Sequence, residues 1–209
     1  MPTNSNTRGA SRDPRARRTR ALLRAAVLEL SMEKDLDGIT MGDIAERAEV
    51  NRATVYLHYK DREDLLLDAT ESTMEGVVEA ARACRLTADT HRLFEETPVH
   101  LVNLFGHVDR HRALYRRMLG EDGSPRCSAR LERLLAQAWF EQLLAEAGPG
   151  PLDEDTLLMR AHFLSGGMLA VIARWTRGEL DGEEGEGGAG GMGVERVAGL
   201  AWALIRGRG

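Results

Sequence analysis

Apolar residues recur along the chain at the spacing of amphipathic helices, and alternating, strand-like patterns are nearly absent. Leu23, Ala26, Val27 and Leu30 follow i, i+3, i+4, i+7 spacing and predict a first helix over residues 17–34. The chain also lacks Asn-Gly hairpin signals and contains few aromatic residues. This pattern predicts an all-α protein.

Capping residues predict further short helices directly after the first. Thr40 and Asp43 are spaced to open a second helix through reciprocal side chain to backbone contacts. Asn51 is suited to cap a third helix ending near Tyr59, and Asp61 is suited to cap a fourth. The very short connection between the second and third helices is typical of a helix-turn-helix.

Beyond residue 62 the pattern remains helical and predicts a larger unit. Ser124 followed by Pro125 is a typical helix start, and the acidic, glycine-rich residues 181–193 form a linker that cannot pack a core. The predicted helices cover residues 62–84, 90–107, 109–119, 125–147, 154–179 and 194–206. The predicted domains are a disordered basic arm over residues 1–16, a helix-turn-helix domain over residues 17–62 and a helical domain over residues 63–209.

The third predicted helix lies in the segment "VNRATVYLHYKDREDLL", residues 50–66, and is rich in groups that contact DNA. Arg52 can donate two hydrogen bonds to guanine or reach a phosphate, and the small Ala53 allows close approach to a thymine methyl. Thr54 and Tyr56 can donate their hydroxyls to phosphates. These residues predict a recognition helix in the major groove.

The other side chains of this helix divide between a polar and an apolar face. His58 and Lys60 extend the phosphate-facing side, whereas Val55 and Tyr59 lie four residues apart and face inward with Ile44. Spacing and composition leave an alternative open, because helix-turn-helix geometry also occurs in proteins that never contact DNA.

Charge is distributed unevenly between the two ends of the chain. Residues 1–60 contain 11 Lys+Arg and 8 Asp+Glu, whereas the remainder contains 17 and 25. A basic front on an acidic body indicates that the front contacts a polyanion. Residues 1–24 alone hold seven arginines and one acid. This arm could follow the minor groove or phosphates, or it could merely solubilise the protein.

Two isolated cysteines, Cys84 and Cys127, fit a reducing compartment. The N-terminus has no apolar core after its charges, so it does not read as a secretory signal. No apolar run approaches the roughly 20 residues that span a bilayer. We therefore expect a cytoplasmic protein with no membrane association.

The stretch from residue 22 to residue 66 resembles the N-terminal domain of the TetR family of bacterial transcriptional regulators. The resemblance rests on "RAAVLEL", "GITMGDIAERA" and the ending Tyr56-x-His58-Tyr59-Lys60. It implies a homodimer in which each subunit offers one helix-turn-helix and a helical domain binds a small molecule. The phosphate contacts that it implies are Thr40, Thr54, Tyr56 and Lys60. The residues that it places nearest the bases are Arg52, Ala53, Leu57 and His58, with Gly42 at the start of the second helix.

Three positions depart from the family pattern. Asp35 and Glu49 stand where members usually have glycine, and Ser31 stands where phenylalanine or leucine is common. Glycine readily adopts the left-handed backbone conformation that often follows a helix. Glutamate in that conformation destabilises the fold by about 1 kcal/mol. Glu49 also places an acid near the DNA.

The helix predicted over residues 154–179 is apolar on two sides, so its own core and a second subunit are expected to cover it. Together with the last helix it would form a four-helix bundle between two subunits, the alternative being a purely intramolecular core. The predicted dimer interface comprises Leu157, Ala161, Leu164, Met168, Ile172, Trp175, Val197, Ala201, Trp202 and Ile205.

Large side chains of the second domain could surround a cavity for a lipophilic effector. The predicted pocket residues are Phe94, His100, Leu104, Tyr115, Trp139, Phe140, His162 and Phe163. The alternative is that these aromatics are ordinary core residues.

No catalytic or metal-binding constellation is predicted. Motifs such as GxSxG, a P-loop and HExxH are absent. His107 and His111 have a metal-ligand spacing and share a face with His100, but the run "GHVDRHR" is typical of a junction between helices. We therefore predict no metal, no cofactor and no enzymatic activity.

The sequence thus predicts a ligand-responsive transcriptional regulator, most simply a repressor. It would bind an inverted-repeat operator in double-stranded DNA as a dimer and be released by a small molecule. Two rival hypotheses are a helical binding or assembly protein whose helix-turn-helix only packs, and a protein that compacts DNA without reading its sequence.

Overall fold

Every regular element in the described part of the chain is helical, which confirms the all-α prediction. The computed structural model describes residues 13–84, 97–147, 153–180 and 191–205. A short 3-10 helix covers Leu36–Gly38. The α-helices in those ranges are α1 (Pro14–Glu33), α2 (Met41–Arg47), α3 (Arg52–His58), α4 (Arg62–Ala83), α5 (Val99–Arg110), α6 (Arg112–Leu119), α7 (Pro125–Glu146), α8 (Glu154–Arg177) and α9 (Val194–Ile205).

Helix α1 begins three residues earlier than predicted. The side chain of Asp13 accepts a hydrogen bond from the Arg15 amide at 2.9 Å, and Pro14 occupies the first helical position. A proline is favoured there because that amide has no partner within the helix. Residues 14–16, predicted to belong to a disordered arm, are therefore helical, and residues 1–12 lie outside the described residues.

The predicted caps of α2 and α3 are confirmed. The Thr40 hydroxyl accepts from the Asp43 amide at 3.1 Å, and the Asp43 carboxylate accepts from the Thr40 amide at 2.9 Å. The Asn51 side chain accepts from the Ala53 amide at 2.8 Å. These contacts stabilise helices of seven residues, which are too short to be stable alone.

Asp43 also pairs with a lysine, and the pairing makes a pH dependence testable. Lys34 Nζ lies 2.6 Å from Asp43 Oδ2. This hydrogen bond, supported by the Thr40 amide, lowers the pKa of Asp43 from 3.8 to about 2. A carboxyl group with a lowered folded pKa stabilises the fold above its unfolded pKa, and that contribution is lost as the pH falls through the folded value.

We therefore expect Asp43→Asn to be less stable than the parent protein at pH 7. The difference should shrink as the pH falls from about 4 to about 2, where the parent carboxylate becomes protonated. Urea unfolding at each pH measures it. Asp122→Asn, in an exposed position with no ion pair among the described residues, is the control. A difference that stays constant with pH would contradict the assignment.

Helix α4 connects the three-helix unit to the rest of the protein. It packs against α1 at one end and against α5 and α7 along its length, while α7 and α8 form the most extensive helix pair. Polar contacts reinforce the junction between the two units. They are Arg117 to Asp35, Ser124 to Glu63, and Arg126 Nη1 to Asp61 Oδ1 at 2.8 Å.

The residues predicted to form the dimer interface lie mostly in the core of one protomer. Eight of them are at most 6% exposed: Leu157, Ala161, Met168, Ile172, Trp175, Val197, Ala201 and Trp202. Leu164 and Ile205 are partly buried against the same core. That prediction is wrong for the eight, because side chains buried by the chain's own helices have no surface left for a second copy.

Candidate nucleic-acid interface

Helix α3 is anchored to the core by one face only. Val55 is fully buried and Tyr59 is 2% exposed, which confirms their predicted inward orientation. Ile44, predicted to lie with them, is also fully buried. The helix is therefore held rigidly while the rest of its surface remains open.

The open face of α3 carries large and charged side chains. Tyr56 is 50% exposed and Leu57 is 82% exposed. Large side chains left this exposed are typical of a surface that binds a partner. Arg52 and Lys60 are exposed and form no ion pair with any described residue. The face thus offers positive charge and apolar contact area without a partner in the protomer.

None of the nine residues predicted to contact DNA lies in the core. Thr40, Arg52, Ala53, Tyr56, Leu57 and Lys60 are exposed, and Gly42, Thr54 and His58 are partly buried. Thr40 and Gly42 stand at the start of α2, and the other seven stand in or directly after α3. The helix-turn-helix brings these two short segments together in space.

Two residues that the sequence reasoning missed hold the end of α3. The Tyr59 hydroxyl donates to Asp68 in α4, and the Arg20 guanidinium lies 5.3 Å from the centre of the Tyr59 ring. Burial, followed by the Asp68 contact, raises the pKa of Tyr59, so the hydroxyl stays protonated as a donor. These contacts cross three helices, and no short-range spacing in the sequence indicates them.

The turn between α2 and α3 contains the only non-glycine residue with positive φ in the described structure. Glu49 has φ of 54°, and the Val50 amide donates to the Ala45 carbonyl at 3.0 Å, closing the end of α2. Asp35, the other position where glycine was expected, has φ of −64° in extended backbone. Only Glu49 therefore carries a conformational cost of about 1 kcal/mol.

This difference predicts opposite effects of two glycine substitutions. Glu49→Gly should raise the free energy of unfolding by up to about 0.5 kcal/mol, because relief of the strain at positive φ exceeds the freedom that glycine gains in the unfolded chain. Asp35→Gly should lower it by about 0.5–1 kcal/mol, because glycine gains freedom only in the unfolded chain. Chemical denaturation measures both. Glu49→Gln, which removes only the charge, separates any gain in DNA affinity from the gain in stability.

A second open surface lies on α8 and α9. Leu158, Met159 and Phe163 on α8 are 43%, 73% and 80% exposed, and Leu200 and Leu204 on α9 are 50% and 65% exposed. By length and composition α8 could cross a membrane, and 28% of its most apolar 18-residue stretch is buried in the protein. Its other side packs in the protein core, so this helix has one apolar face inside and one uncovered.

The residues predicted to line an effector pocket are divided between the core and the surface of the described part of the chain. Leu104, Tyr115 and Trp139 are buried in the core, and Phe140 packs partly against it. His100, His162 and Phe163 are exposed, so the protomer does not enclose them in a cavity, and their role in a pocket stays a prediction. Phe94 lies outside the described residues. Two surface grooves in the described part lie between α1 and α2 and beside Arg116, and neither is lined by any of the seven described residues of this set.

One of these pocket residues carries an unsatisfied buried donor. The indole nitrogen of Trp139 has no hydrogen-bond partner among the described residues, although the side chain is 1% exposed. Tyr115, by contrast, donates to the Thr73 carbonyl at 3.0 Å. Leaving a buried donor unpaired costs about 1–3 kcal/mol, so Trp139 marks a polar point inside an apolar region.

His107 and His111 lie at the junction between α5 and α6. His111 is the single residue between α5 and α6, as the predicted junction requires. The His107 ring contacts the Thr73 carbonyl through Nε2 at 2.9 Å, and burial lowers the pKa of His107. Among the residues described, no three His, Cys, Asp or Glu side chains are grouped so that they could hold a metal ion.

Comparison with known proteins identifies relatives of the N-terminal region. Residues 22–69 match the family described as bacterial regulatory proteins, tetR family. The HTH-type transcriptional regulators YxbF and YdeS of Bacillus subtilis (strain 168) are 38% and 35% identical over 60 residues, 29% of this chain. The matched segment spans only 16% and 30% of the length of those two proteins.

Solved structures share the fold over nearly the whole chain. A TetR transcriptional regulator from Streptococcus agalactiae 2603V superposes with a TM-score of 0.63 at 20% identity, covering 91% of this chain and 95% of that one. FadR of Thermus thermophilus, in complex with lauroyl-CoA, gives 0.56 at 21% identity, covering 90% and 94%. At such identities the likeness establishes the fold alone.

Proposed function

The chain belongs to the TetR family of bacterial regulatory proteins, and we propose that it is a cytoplasmic transcriptional regulator that binds an operator in double-stranded DNA. The observation that carries the proposal is the open face of α3. Arg52 and Lys60 have no ion-pair partner among the described residues, and Tyr56 and Leu57 are exposed beside them. A recognition helix needs this combination, because phosphates require cations and base edges require close contact.

The position of each side chain in α2 or α3 decides whether we assign it to a base or to a phosphate. Arg52, at the start of α3, is at the position from which a recognition helix reaches base edges, and Ala53, Leu57 and His58 accompany it. Phosphate contacts are assigned to Thr40, Thr54, Tyr56 and Lys60, with Gly42 allowing close approach at the start of α2. The buried Val55 and Tyr59 keep this set in register.

Two copies of the chain would act together. We assign the dimer interface to the uncovered apolar face of α8 and α9, formed by Leu158, Met159, Phe163, Leu200 and Leu204. An apolar face this exposed is typical of a helix that another subunit covers. Two recognition helices related by a two-fold axis read an inverted repeat, which explains why a symmetric operator is expected.

Release of the operator is proposed to follow from binding of a small lipophilic molecule in the second domain. The contacts of Arg117, Ser124 and Arg126 with the 3-10 helix region and the start of α4 connect that domain to the helix-turn-helix. An effector that separates α4 from α7 would therefore change the position of α3. For release, the effector needs only to bind the conformation that cannot dock on the operator more tightly than the conformation that can.

Trp139 suggests what the effector carries. Its unpaired indole N–H inside an apolar region suits a lipophilic molecule with one hydrogen-bond acceptor, such as a carbonyl or carboxylate. The solved FadR relative is in complex with an acyl thioester, lauroyl-CoA, which is such a molecule. We propose the same broad chemical class here.

Fatty acids and acyl thioesters are the probes for this part of the proposal. At least one should dissociate the protein from its operator, and Trp139→Phe should weaken that response about five- to tenfold, the value of one hydrogen bond of about 1–1.5 kcal/mol. Release titrations by fluorescence anisotropy measure the effect. Trp202→Phe, a matched change in α9, should leave the response intact. An equal response of all three proteins would remove Trp139 from the site.

Selection of bound duplexes from a random pool tests the DNA-binding function itself. The proposal predicts that the selected sequences converge on an inverted repeat whose half-sites lie about one helical turn apart or a multiple of it. Recovery of duplexes with no common sequence would favour compaction without sequence readout. A protein that retains no duplex at all would favour the rival in which the helix-turn-helix only packs.

A further inference from the structure

Helix α1 presents a cluster of arginines beside the recognition helix that the proposed operator contacts do not use. Arg15, Arg17 and Arg18 stand in the first two turns of α1 and are exposed. We propose that this cluster, called here the α1 arginine cluster, is a second DNA-binding surface that contacts the phosphate backbone just outside each half-site. The inference rests on the proposed function, because it needs a duplex docked on α3.

The position of α1 relative to α3 supports this proposal. Arg20 lies over the ring of Tyr59, the residue that ends α3. Pro14 is six residues before Arg20, so α1 extends about 9 Å beyond that contact at 1.5 Å per residue. Arg17 is one helical turn before Arg20 and lies on the same face of α1. Arg17 therefore stands one helical turn from the contact that α1 makes with the residue ending α3, and Arg18 lines the groove that borders the α2–α3 turn at Glu49.

The cluster is held in place by its own helix. The Asp13 side chain caps the helix start through the Arg15 amide, and the Thr19 hydroxyl donates to the Arg15 carbonyl at 3.1 Å. The arginines consequently stand on a preformed helix rather than on a loose arm. Binding DNA would therefore cost little backbone ordering.

The charges of the cluster are not used in ion pairs by the part of the protein that the structure describes. Arg15, Arg17 and Arg18 form none there. Many arginines elsewhere are paired with acids, including Arg47 with Glu33 and Arg126 with Asp61. Asp13 is engaged as the helix cap, and Arg18 shares a groove between α1 and α2 with Glu29 and Glu49 without pairing with either. Exposed guanidinium groups that form no ion pair beside a DNA-binding helix are suited to a polyanion.

Phosphates are a better match for this cluster than base edges. A helix about 10 Å wide fits the major groove but not the minor groove, which is about 6 Å wide. Because α3 occupies the major groove in the proposed complex, α1 meets the backbone at its edge. Contacts of this kind raise the affinity for every sequence and leave the choice of sequence to α3.

The test compares the parent protein with the triple variant Arg15→Gln, Arg17→Gln, Arg18→Gln. Glutamine has nearly the helix propensity of arginine, so the fold is retained, which circular dichroism verifies. The slope of log affinity against log salt concentration should become shallower by about 0.9 per lost phosphate contact, hence by about 2 to 3. Affinity for operator and scrambled duplex should fall by the same factor, leaving their ratio unchanged.

Duplex length gives a second readout that locates the contact. The parent protein should bind more tightly when the operator duplex is extended by about six base pairs on each side, because the extension supplies the flanking phosphates. The triple variant should gain nothing from the extension. A charge-matched control, Arg110→Gln, Arg116→Gln, Arg133→Gln, replaces three exposed arginines of the second domain and should behave like the parent protein.

Two failures remain distinguishable. If the parent protein prefers the operator but the triple variant shows the same salt slope and the same gain with duplex length, the α1 arginine cluster does not contact DNA. If the parent protein itself shows no preference for any duplex, the proposed function fails instead. A loss of sequence preference in the triple variant would also overturn the inference, because phosphate contacts carry no sequence information.

Discussion

Phe163→Glu should convert the dimer to a monomer and weaken operator binding by about a thousandfold or more. Phe163 is the most exposed large side chain of α8, in the middle of the uncovered apolar face. A glutamate there would place an unpaired charge between two apolar surfaces on association. Because the second half-site binds as an intramolecular event only in the dimer, losing the dimer removes most of the specific affinity.

Analytical ultracentrifugation and fluorescence anisotropy measure the two consequences in one sample series. Phe163→Leu keeps the site apolar and should remain dimeric with nearly parental affinity. The same glutamate at Met32, an exposed position on α1, should leave the dimer intact. A Phe163→Glu protein that still sediments as a dimer would contradict the assignment of this face as the interface.

Arg52→Ala should weaken the binding free energy for the operator by about 1–3 kcal/mol, which lowers the affinity roughly 10- to 150-fold. It should also relax the base preference at one base pair of each half-site. Arg52 stands at the first position of α3, exposed and without an ion pair among the described residues. Loss of the Arg52 guanidinium removes the hydrogen bonds that it donates to a base edge, while the phosphate contacts of the other residues persist. Affinity should therefore fall for the operator and remain similar for a scrambled duplex.

Tyr56→Phe is the matched comparison on the same helix. It removes one hydroxyl from a half-exposed side chain, so binding to all duplexes should weaken by a similar small factor. Competition titrations with duplexes mutated at each position measure both variants. A change in base preference for Tyr56→Phe, or a uniform loss for Arg52→Ala, would reverse the roles assigned to these two residues.

Local chemistry made much of the helix-turn-helix predictable. Thr40, Asn51 and Asp61 were expected as caps because their side chains satisfy amides within three residues in the chain, and all three do so. Val55 and Tyr59 were expected to face inward from their four-residue spacing. The contacts of Arg20 and Asp68 with Tyr59 were not predictable, because they depend on how three helices come together.

In the second domain, sequence patterns do not determine which side of a helix faces the core. Helix α8 is apolar on two sides, and periodicity alone does not say which side faces the core. The side with Ala161, Ile172 and Trp175 packs inside, and the side with Met159 and Phe163 remains uncovered. The same limitation affected the pocket, since aromatic residues at helical spacing proved to be distributed between the core and the surface. Only the tertiary arrangement separates these cases.

Fluorescence anisotropy measures whether α3 recognises a specific operator. The purified protein would be titrated against duplexes from the DNA flanking its own gene and against a scrambled duplex, each over a series of salt concentrations. We expect a preference of about a thousandfold or more for the operator, with log affinity falling steeply as the salt concentration rises. Equal affinity for both duplexes at every salt concentration, or no binding even at low salt, would contradict it.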